Sequence, residues 1–400
     1  MTIKPITHII NSLSFGGAEA MLCNLVKHYD RERFPTKVVT LIDDHKLAGP
    51  LLSLGVPIVS MGMRPGIPDP RTAARLASFL WRERPAVVQT WMDHSNLIGG
   101  VAARVTTSAP VVWSIHHVNH GPGVSKPTTR LTVAACAKLS GWLPSTIVCC
   151  SEASRLEYTR MGFAPSKMQY VPNGFDSVTF APDPQARASI RAELGIDDDA
   201  ILVGIAARFD PLKDHANFLN AAAIVARAVP KARFLLCGTG VDRQNTLLMS
   251  LVHQLGIESK CHFIGPRHDM PRIFPALDIA ASSSISEAFP LAVGEAMSSG
   301  VPCAGTDVGD TAHLIGQTGR VIPARSPDAL AKALIELMAL EPEKRRKLGK
   351  AARERIRTLF DLTAVSRLYE QIYESVTSPP ALAPSSSSNQ GLLANVQETS

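Results

Sequence analysis

"AILVGIAARFDPLKDHANFLNAAAIVARAVPKARFLLCGTG" spans Ala200 to Gly240. Ala200 to Phe209 is an almost unbroken apolar run. A turn with Pro211 follows, then an apolar-periodic stretch from His215 to Val229, and then a second apolar run from Ala232. Continuous apolar runs of this length suit parallel strands buried on both faces. The stretch between them is predicted as the helix that crosses from one strand to the next. This is a βαβ unit, and it sets the fold class as α/β.

The alternation extends in both directions. Upstream, strands are predicted near Thr7–Asn11, Pro35–Asp43, Gly55–Gly62, Ala86–Trp91 and Pro110–Val118. Helices are predicted from Ala18, over Pro70–Pro85 and over Asn96–Thr106. Leu131–Cys150 is the most apolar long stretch, but it contains Lys138, Gly141 and Pro144. A membrane-spanning helix needs about 20 mostly apolar residues, so this stretch reads as buried helix plus strand. Downstream, helices are predicted over Asn245–Gly256, Leu291–Gly300 and Ser326–Leu340, and strands over Cys261–Pro266, Asp278–Ser284 and Val301–Asp307. A polar, Pro-containing stretch, Ala181–Asp199, separates the two series. The expected architecture is two Rossmann-like, doubly wound parallel-sheet domains, 1–180 and 181–360, facing across a cleft. A helix over 361–377 is expected to pack back on the first domain. The Pro- and Ser-rich segment 378–400 reads as a disordered tail.

Composition narrows the function. The chain has 400 residues, 45% hydrophobic and 19% charged, with a formal net charge of +6. That balance suits anionic partners such as nucleotides, nucleic acid or an acidic membrane face. The clearest basic cluster, Glu343–Arg357, reads as a helix of mixed charge with no interleaved aromatics, which argues against nucleic acid. The seven cysteines include no CxxC pair. They read as reduced, mostly buried thiols of a cytoplasmic protein, not as disulfides or a zinc site. No basic-then-apolar signal segment opens the chain.

Ligands of doubly wound sheets bind at the carboxyl ends of the strands, and four motifs lie there. "SFGGAEA" (Ser14–Ala20) puts Gly16 and Gly17 between a strand and a helix, where free backbone N–H groups can meet a phosphate. "SIHHVNH" puts His116 and His117 at a strand end, with His120 just beyond. Neighbouring residues of a regular strand point to opposite faces, so the two histidines cannot share one metal. One of them facing the cleft could bond substrate or move a proton. "ARFDPLKDH" places Arg208 and Lys213 where two cations can clamp a pyrophosphate. "EAFPLAVGE" places Glu287 in a loop and Glu295 in the first turns of a helix. Between them Phe289, Pro290 and Leu291 offer backbone to a phosphate. Each motif alone also fits an ordinary turn, a structural histidine or surface charge.

Taken together, the motifs resemble those of retaining glycosyltransferases of family 4, which have the GT-B fold. "EAFPLAVGE" matches the family's E-x7-E segment, and "EAMSSGVPCAGTDVGD" its "EAMACGxPVVATxxGG". "ARFDPLKDH" resembles "GRLxxxKG", "VPNGFD" (Val171–Asp176) resembles "IPNGVD", and "GGAE" is similar to the N-terminal glycine loop. The resemblance implies a nucleotide-diphosphate sugar as donor, with a UDP-sugar favoured, and no cofactor. Arg208 and Lys213 would hold the diphosphate and Glu295 the ribose. Glu287 and the backbone after it would face the transferred sugar. Gly16 and Gly17 would approach the donor, and His116 would contact the sugar near the reacting carbon, with His117 the other candidate. The subgroup resembled makes cell-surface polysaccharides and O-antigens, which implies a glycan or lipid-linked acceptor and transient contact with the inner membrane face. Two departures, "EAFP" for "EGFG" and "VGD" for "VGG" at Val308–Asp310, are expected near the sugar pocket. No metal is expected: Asp197–Asp199 precedes a strand, and Asp43–Asp44 has no partner ligands nearby. The competing readings are another GT-B enzyme, such as an epimerase or phosphorylase, and a basic nucleic-acid-binding protein.

Overall fold

The computed structural model describes residues 3–64, 69–118 and 125–378. The first domain carries β1 (Ile6–Ile10), β2 (Thr36–Ile42), β3 (Ile58–Met63), β4 (Val87–Trp91), β5 (Val111–Ile115), β6 (Thr146–Cys149) and β7 (Met168–Tyr170). The second carries β8 (Ile201–Ala206), β9 (Ala232–Cys237), β10 (Cys261–Phe263), β11 (Ile279–Ser282), β12 (Cys303–Thr306) and β13 (Arg320–Ile322). The sheet orders are β3-β2-β1-β4-β5-β6-β7 and β10-β9-β8-β11-β12-β13. Every pairing is parallel. In both sheets the order reverses beside the first strand, which opens a crevice at the strands' carboxyl ends.

Buried aliphatic clusters cover both faces of each sheet. Val203, Phe234 and Ile279 pack on one face of the second sheet and Leu202, Leu235 and Ala280 on the other, so alternate residues of each strand serve opposite layers. This is why the strands read as continuous apolar runs. The seven cysteines are buried and unpaired.

One stretch differs from expectation. The polar stretch 181–199 contains a helix, Pro184–Glu193, capped by Asp183, whose carboxylate accepts from the N–H groups of Gln185 and Ala186. Its inner face buries Ala186 and Ile190, and beside them Arg187 and Arg191, one turn apart, grip Asp278 (2.8 and 3.2 Å). With two arginines on the buried side, the apolar signal of the helix is weak. The mixed-charge cluster forms a helix as expected, Pro342–Leu359, but two of its cations are structural. Arg353 donates to Phe180 O (2.9 Å) and Ser177 O (2.8 Å), and Arg355 to Leu314 O (3.0 Å).

The chain crosses between the domains at two adjacent points. Phe175 N donates to Phe360 O (2.9 Å), and Leu362 N donates to Phe175 O (3.1 Å). The helix Leu362–Thr377 then places Leu362, Val365, Tyr369 and Tyr373 in the same buried cluster as Ile6, Ile10 and Trp91 of the first domain. The expected tail beyond it, residues 379–400, lies outside the described residues, as does His120.

Candidate active site

A cleft of about 990 Å³ lies between the domains. It is lined by Gly16, Gly17, His116, His117, Arg208, Lys213, Glu287, Phe289, Pro290, Leu291 and Glu295, so residues far apart in sequence converge as the motif spacing implied.

Gly16 caps the helix Gly17–His28 without a side chain of its own. Gly17 comes close enough to the second domain that a Cβ there would stand 3.6 Å from Leu291 Cδ1. The glycines therefore bring one helix start against the start of another, Leu291–Ser298, whose N-cap is Pro290.

Lys213 and Glu287 meet although they come from different loops. Lys213 Nζ donates to Glu287 Oε1 (2.5 Å), which also accepts from Ser284 Oγ (2.7 Å). Ser283 Oγ holds Lys213 O (2.8 Å), fixing the lysine loop to the strand end. The loop after β12 closes on the same place. Gly309 has φ +57°, and a Cβ there would lie 2.2 Å from Glu287 O, so that conformation and that approach both require glycine. Arg208 is more open to solvent and donates to Asp210 (3.2 Å).

Glu295 is half-buried, and its carboxylate has no partner among the described residues. Burial pushes its pKa up to about 8, because an ion in an apolar setting loses water and gains nothing in return. Phe289 has a core side chain, stacked on Phe175 and edge-on to Phe360. What it can offer a phosphate is backbone.

The two histidines do not behave as alternate residues of a strand. β5 ends at Ile115, so His116 and His117 lie past the regular strand, and both line the cleft. The His116 ring stacks on Trp91 at 5.1 Å. Both of its nitrogens are buried without a partner. Burial lowers its pKa to about 4, so it is a neutral imidazole at physiological pH.

The "VGD" segment packs on the Glu287 loop, with Asp310 N donating to Ala288 O (3.0 Å). The Asp310 side chain, however, is buried and reaches the other domain. Its carboxylate accepts from Glu152 N (2.8 Å) and Ala153 N (3.0 Å), the first turn of the helix Glu152–Arg160. Ser151 Oγ takes the N–H of Ser154 in the same turn. A helix start leaves four free N–H groups, and here a side chain from the other domain satisfies two of them. Asp310→Ala should therefore lower stability by about 1–2 kcal/mol. A melting curve checks this, and an unchanged midpoint would remove Asp310 from the domain contact.

Two more residues join the cleft. Glu19 lines it, and burial raises its pKa, with the Arg208 charge acting in the opposite direction. Asn173 also lines it, with its amide oxygen buried and unpartnered. Both lie inside quoted motifs, "GGAE" and "VPNGFD", where only the glycines of the first had drawn a role. Of the acidic runs, Asp199 pairs with Lys231 (2.7 Å) before β8, at the end of the sheet away from the cleft, whereas Asp44 follows β2 and lies near enough to Glu19 to help raise its pKa.

Two doubly wound domains with a cationic, carboxylate-bearing cleft between them define a GT-B glycosyltransferase. Residues 15–179 match the family model described as Glycosyltransferase Family 4, and residues 186–355 that described as Glycosyl transferases group 1. The chain belongs to these glycosyltransferases, and it is an enzyme of that class. It is 26% identical over 317 residues to the "Putative glycosyltransferase EpsF" of Bacillus subtilis, covering 75% of this chain and 78% of that one. It is 23% identical over 276 residues to the Escherichia coli "UDP-Gal:alpha-D-GlcNAc-diphosphoundecaprenol alpha-1,3-galactosyltransferase", covering 68% and 71%. Among solved structures, Anabaena HepE in complex with UDP-glucose superposes with a TM-score of 0.82 at 21% identity, covering 93% of this chain and all of that one (100%). At that identity the likeness bears on the fold. No helix among the described residues is long and apolar enough to cross a membrane.

Proposed function

We propose that this enzyme transfers a sugar, with retained configuration, from a UDP-sugar to a lipid-linked glycan in cell-surface polysaccharide synthesis. The observation that carries it is the convergence of Arg208, Lys213, Glu287 and Glu295 on one cleft with the Gly16–Gly17 turn opposite. The UDP-glucose in the structural neighbour and the UDP-galactose and lipid diphosphate in a relative's name support the donor and acceptor classes.

In this reading the diphosphate lies against Arg208, Lys213 and the helix start at Pro290, and Glu295 accepts from ribose hydroxyls. As the glycosidic bond breaks, charge grows on the leaving phosphate, and fixed cations there stabilise it. Attack from the same face, with the leaving phosphate receiving the acceptor's proton, retains configuration. Glu287, already bonded to Lys213 and Ser284, orients the lysine and the sugar and is not a nucleophile. His116, neutral and with free nitrogens, bonds the sugar near the reacting carbon. The protein works at the inner membrane face without a metal.

Thermal shift against UDP-, GDP- and ADP-sugars tests the donor. A ligand at about 100 times its Kd adds about 2.7 kcal/mol, so the UDP-sugar should shift the melt and the others should not. No shift with any of them would overturn the reading. Activity should survive exhaustive EDTA treatment. Loss that only magnesium or manganese restores would refute the cation clamp.

A further inference from the structure

Glu287 and His116 belong to different domains, and the chemistry proposed above needs both against one sugar. Their separation is set by whatever ties their two loops together. The Glu287 loop is held at two places. Phe289 stacks on Phe175 and meets Phe360 edge-on, at the points where the chain crosses between the domains. Next to Glu287 itself, Asp310 N donates to Ala288 O (3.0 Å), and Gly309 packs on Glu287 O. The His116 end of β5 is held from its own domain. Cys150, which follows β6 and lines the cleft, donates its N–H to Ile115 O (3.1 Å), one residue before His116. Ser151, the next residue, caps the helix Glu152–Arg160.

The Asp310 carboxylate joins these two systems. It accepts from Glu152 N (2.8 Å) and Ala153 N (3.0 Å), two residues beyond Cys150. A buried carboxylate that takes two successive N–H groups fixes direction as well as distance. Beside this contact the rings of Tyr170, from the first domain, and His313, from the second, meet edge-on at 6.5 Å. The bond is particular to the "VGD" form of the motif, since a glycine has no side chain to make it. We infer that Asp310 is a positioning residue for the transfer: its backbone holds the Glu287 loop, its carboxylate holds the segment that ends β6, and together they set the distance between Glu287 and His116. The inference rests on the roles proposed above for those two residues. Asp310 itself does not line the cleft. A purely structural cap would change the melting temperature and leave the chemistry of the folded enzyme alone. A positioning residue lowers kcat while donor affinity stays, because Arg208, Lys213 and Glu295 all belong to the second domain.

The test is release of UDP from UDP-glucose and UDP-galactose by the full chain, with water as acceptor, well below the melting midpoint of each variant. Asp310→Ala should lower kcat about ten- to a hundredfold, the scale of a misplacement of about 1 Å between reacting groups, with KM for the donor nearly unchanged. Asp310→Asn keeps an acceptor for one N–H and sets its own amide N–H against the other, so its kcat should fall between wild type and alanine. It also serves if the alanine variant fails to fold. His116→Ala should be slow as well, and Asp310→Asn added to it should slow it no further, since Asp310 acts through where His116 stands. A second measurement needs no turnover. Spin labels at Leu131→Cys and Leu247→Cys, each 73% exposed, report the distance between the domains, because the seven native cysteines are buried. With UDP bound, Asp310→Asn should broaden that distance distribution. Wild-type kcat in the folded Asp310 variants, a rise in KM alone, multiplied effects in the double variant or an unchanged label distribution would each overturn this inference and leave the transferase reading standing. A wild type that neither turns over nor shifts its melt with a UDP-sugar would refute that reading, and this inference with it.

Discussion

Glu295→Gln should melt at a higher temperature than wild type at pH 8 and bind the donor more weakly. The Glu295 carboxyl has a folded pKa of about 8 against an ordinary 4.5, raised by burial without a partner. A raised carboxyl pKa means that the folded state holds its proton more tightly than the unfolded chain does. Below pH 4.5 both states are protonated, and the shift has no effect. Between 4.5 and 8 the unfolded chain releases the proton first, so stability falls as pH rises, and above 8 the loss is complete. At about 1.4 kcal/mol per unit, and discounted for partial exposure, the loss is on the order of 3 kcal/mol. That corresponds to several degrees, at about 2–4 °C per kcal/mol. The glutamine variant lacks this pH slope.

Donor binding should move the other way. A ribose hydroxyl donating to an ionised carboxylate contributes about 1.5–3 kcal/mol, so the variant should bind UDP-sugar about ten- to a hundredfold more weakly. Wild-type affinity should itself drop by up to about tenfold per pH unit below 8, because ligand must first expel the proton. Titration calorimetry of both proteins from pH 6 to 9 checks both arms. A flat wild-type profile would show that Glu295 does not meet the donor as a carboxylate.

Lys213→Ala should lower kcat by about a hundred- to a thousandfold, the scale of one lost donor to a developing anion, with a smaller change in KM. Leaving-group charge is greatest in the transition state, so its cation contributes most there. In the ligand-free protein Lys213 is bonded to Glu287 at 2.5 Å. The diphosphate must therefore share or take that contact. Lys213→Arg should recover part of the rate, since the charge is kept while the geometry differs. Steady-state kinetics with saturating acceptor decide the matter. A rise in KM alone would make Lys213 a uniform binder and remove it from the chemistry.

Much of this was legible in the chain itself. β8, β9 and the helix His215–Ala228 between them follow from local periodicity, because strands buried on both faces must be apolar throughout. The loop and helix positions of Glu287 and Glu295 follow from Pro290. The motif residues reach one cleft because each lies at a strand end and both sheets open toward the same side. Tertiary structure decided the rest. Lys213 and Glu287, 74 positions apart, form an ion pair only because two strand-end loops meet. The pKa of Glu295 depends on what surrounds it, and no neighbour in sequence specifies that its carboxylate goes without a partner. Where β5 stops determines that both His116 and His117 reach the cleft. Asp310 lies beside the Glu287 loop, as its motif suggests, but the partner of its carboxylate was not legible. In space it caps a helix of the other domain, and a capping bond between segments 157 and 158 residues apart leaves no local trace. Periodicity records which face of an element is buried. It carries no record of which charges that burial brings together.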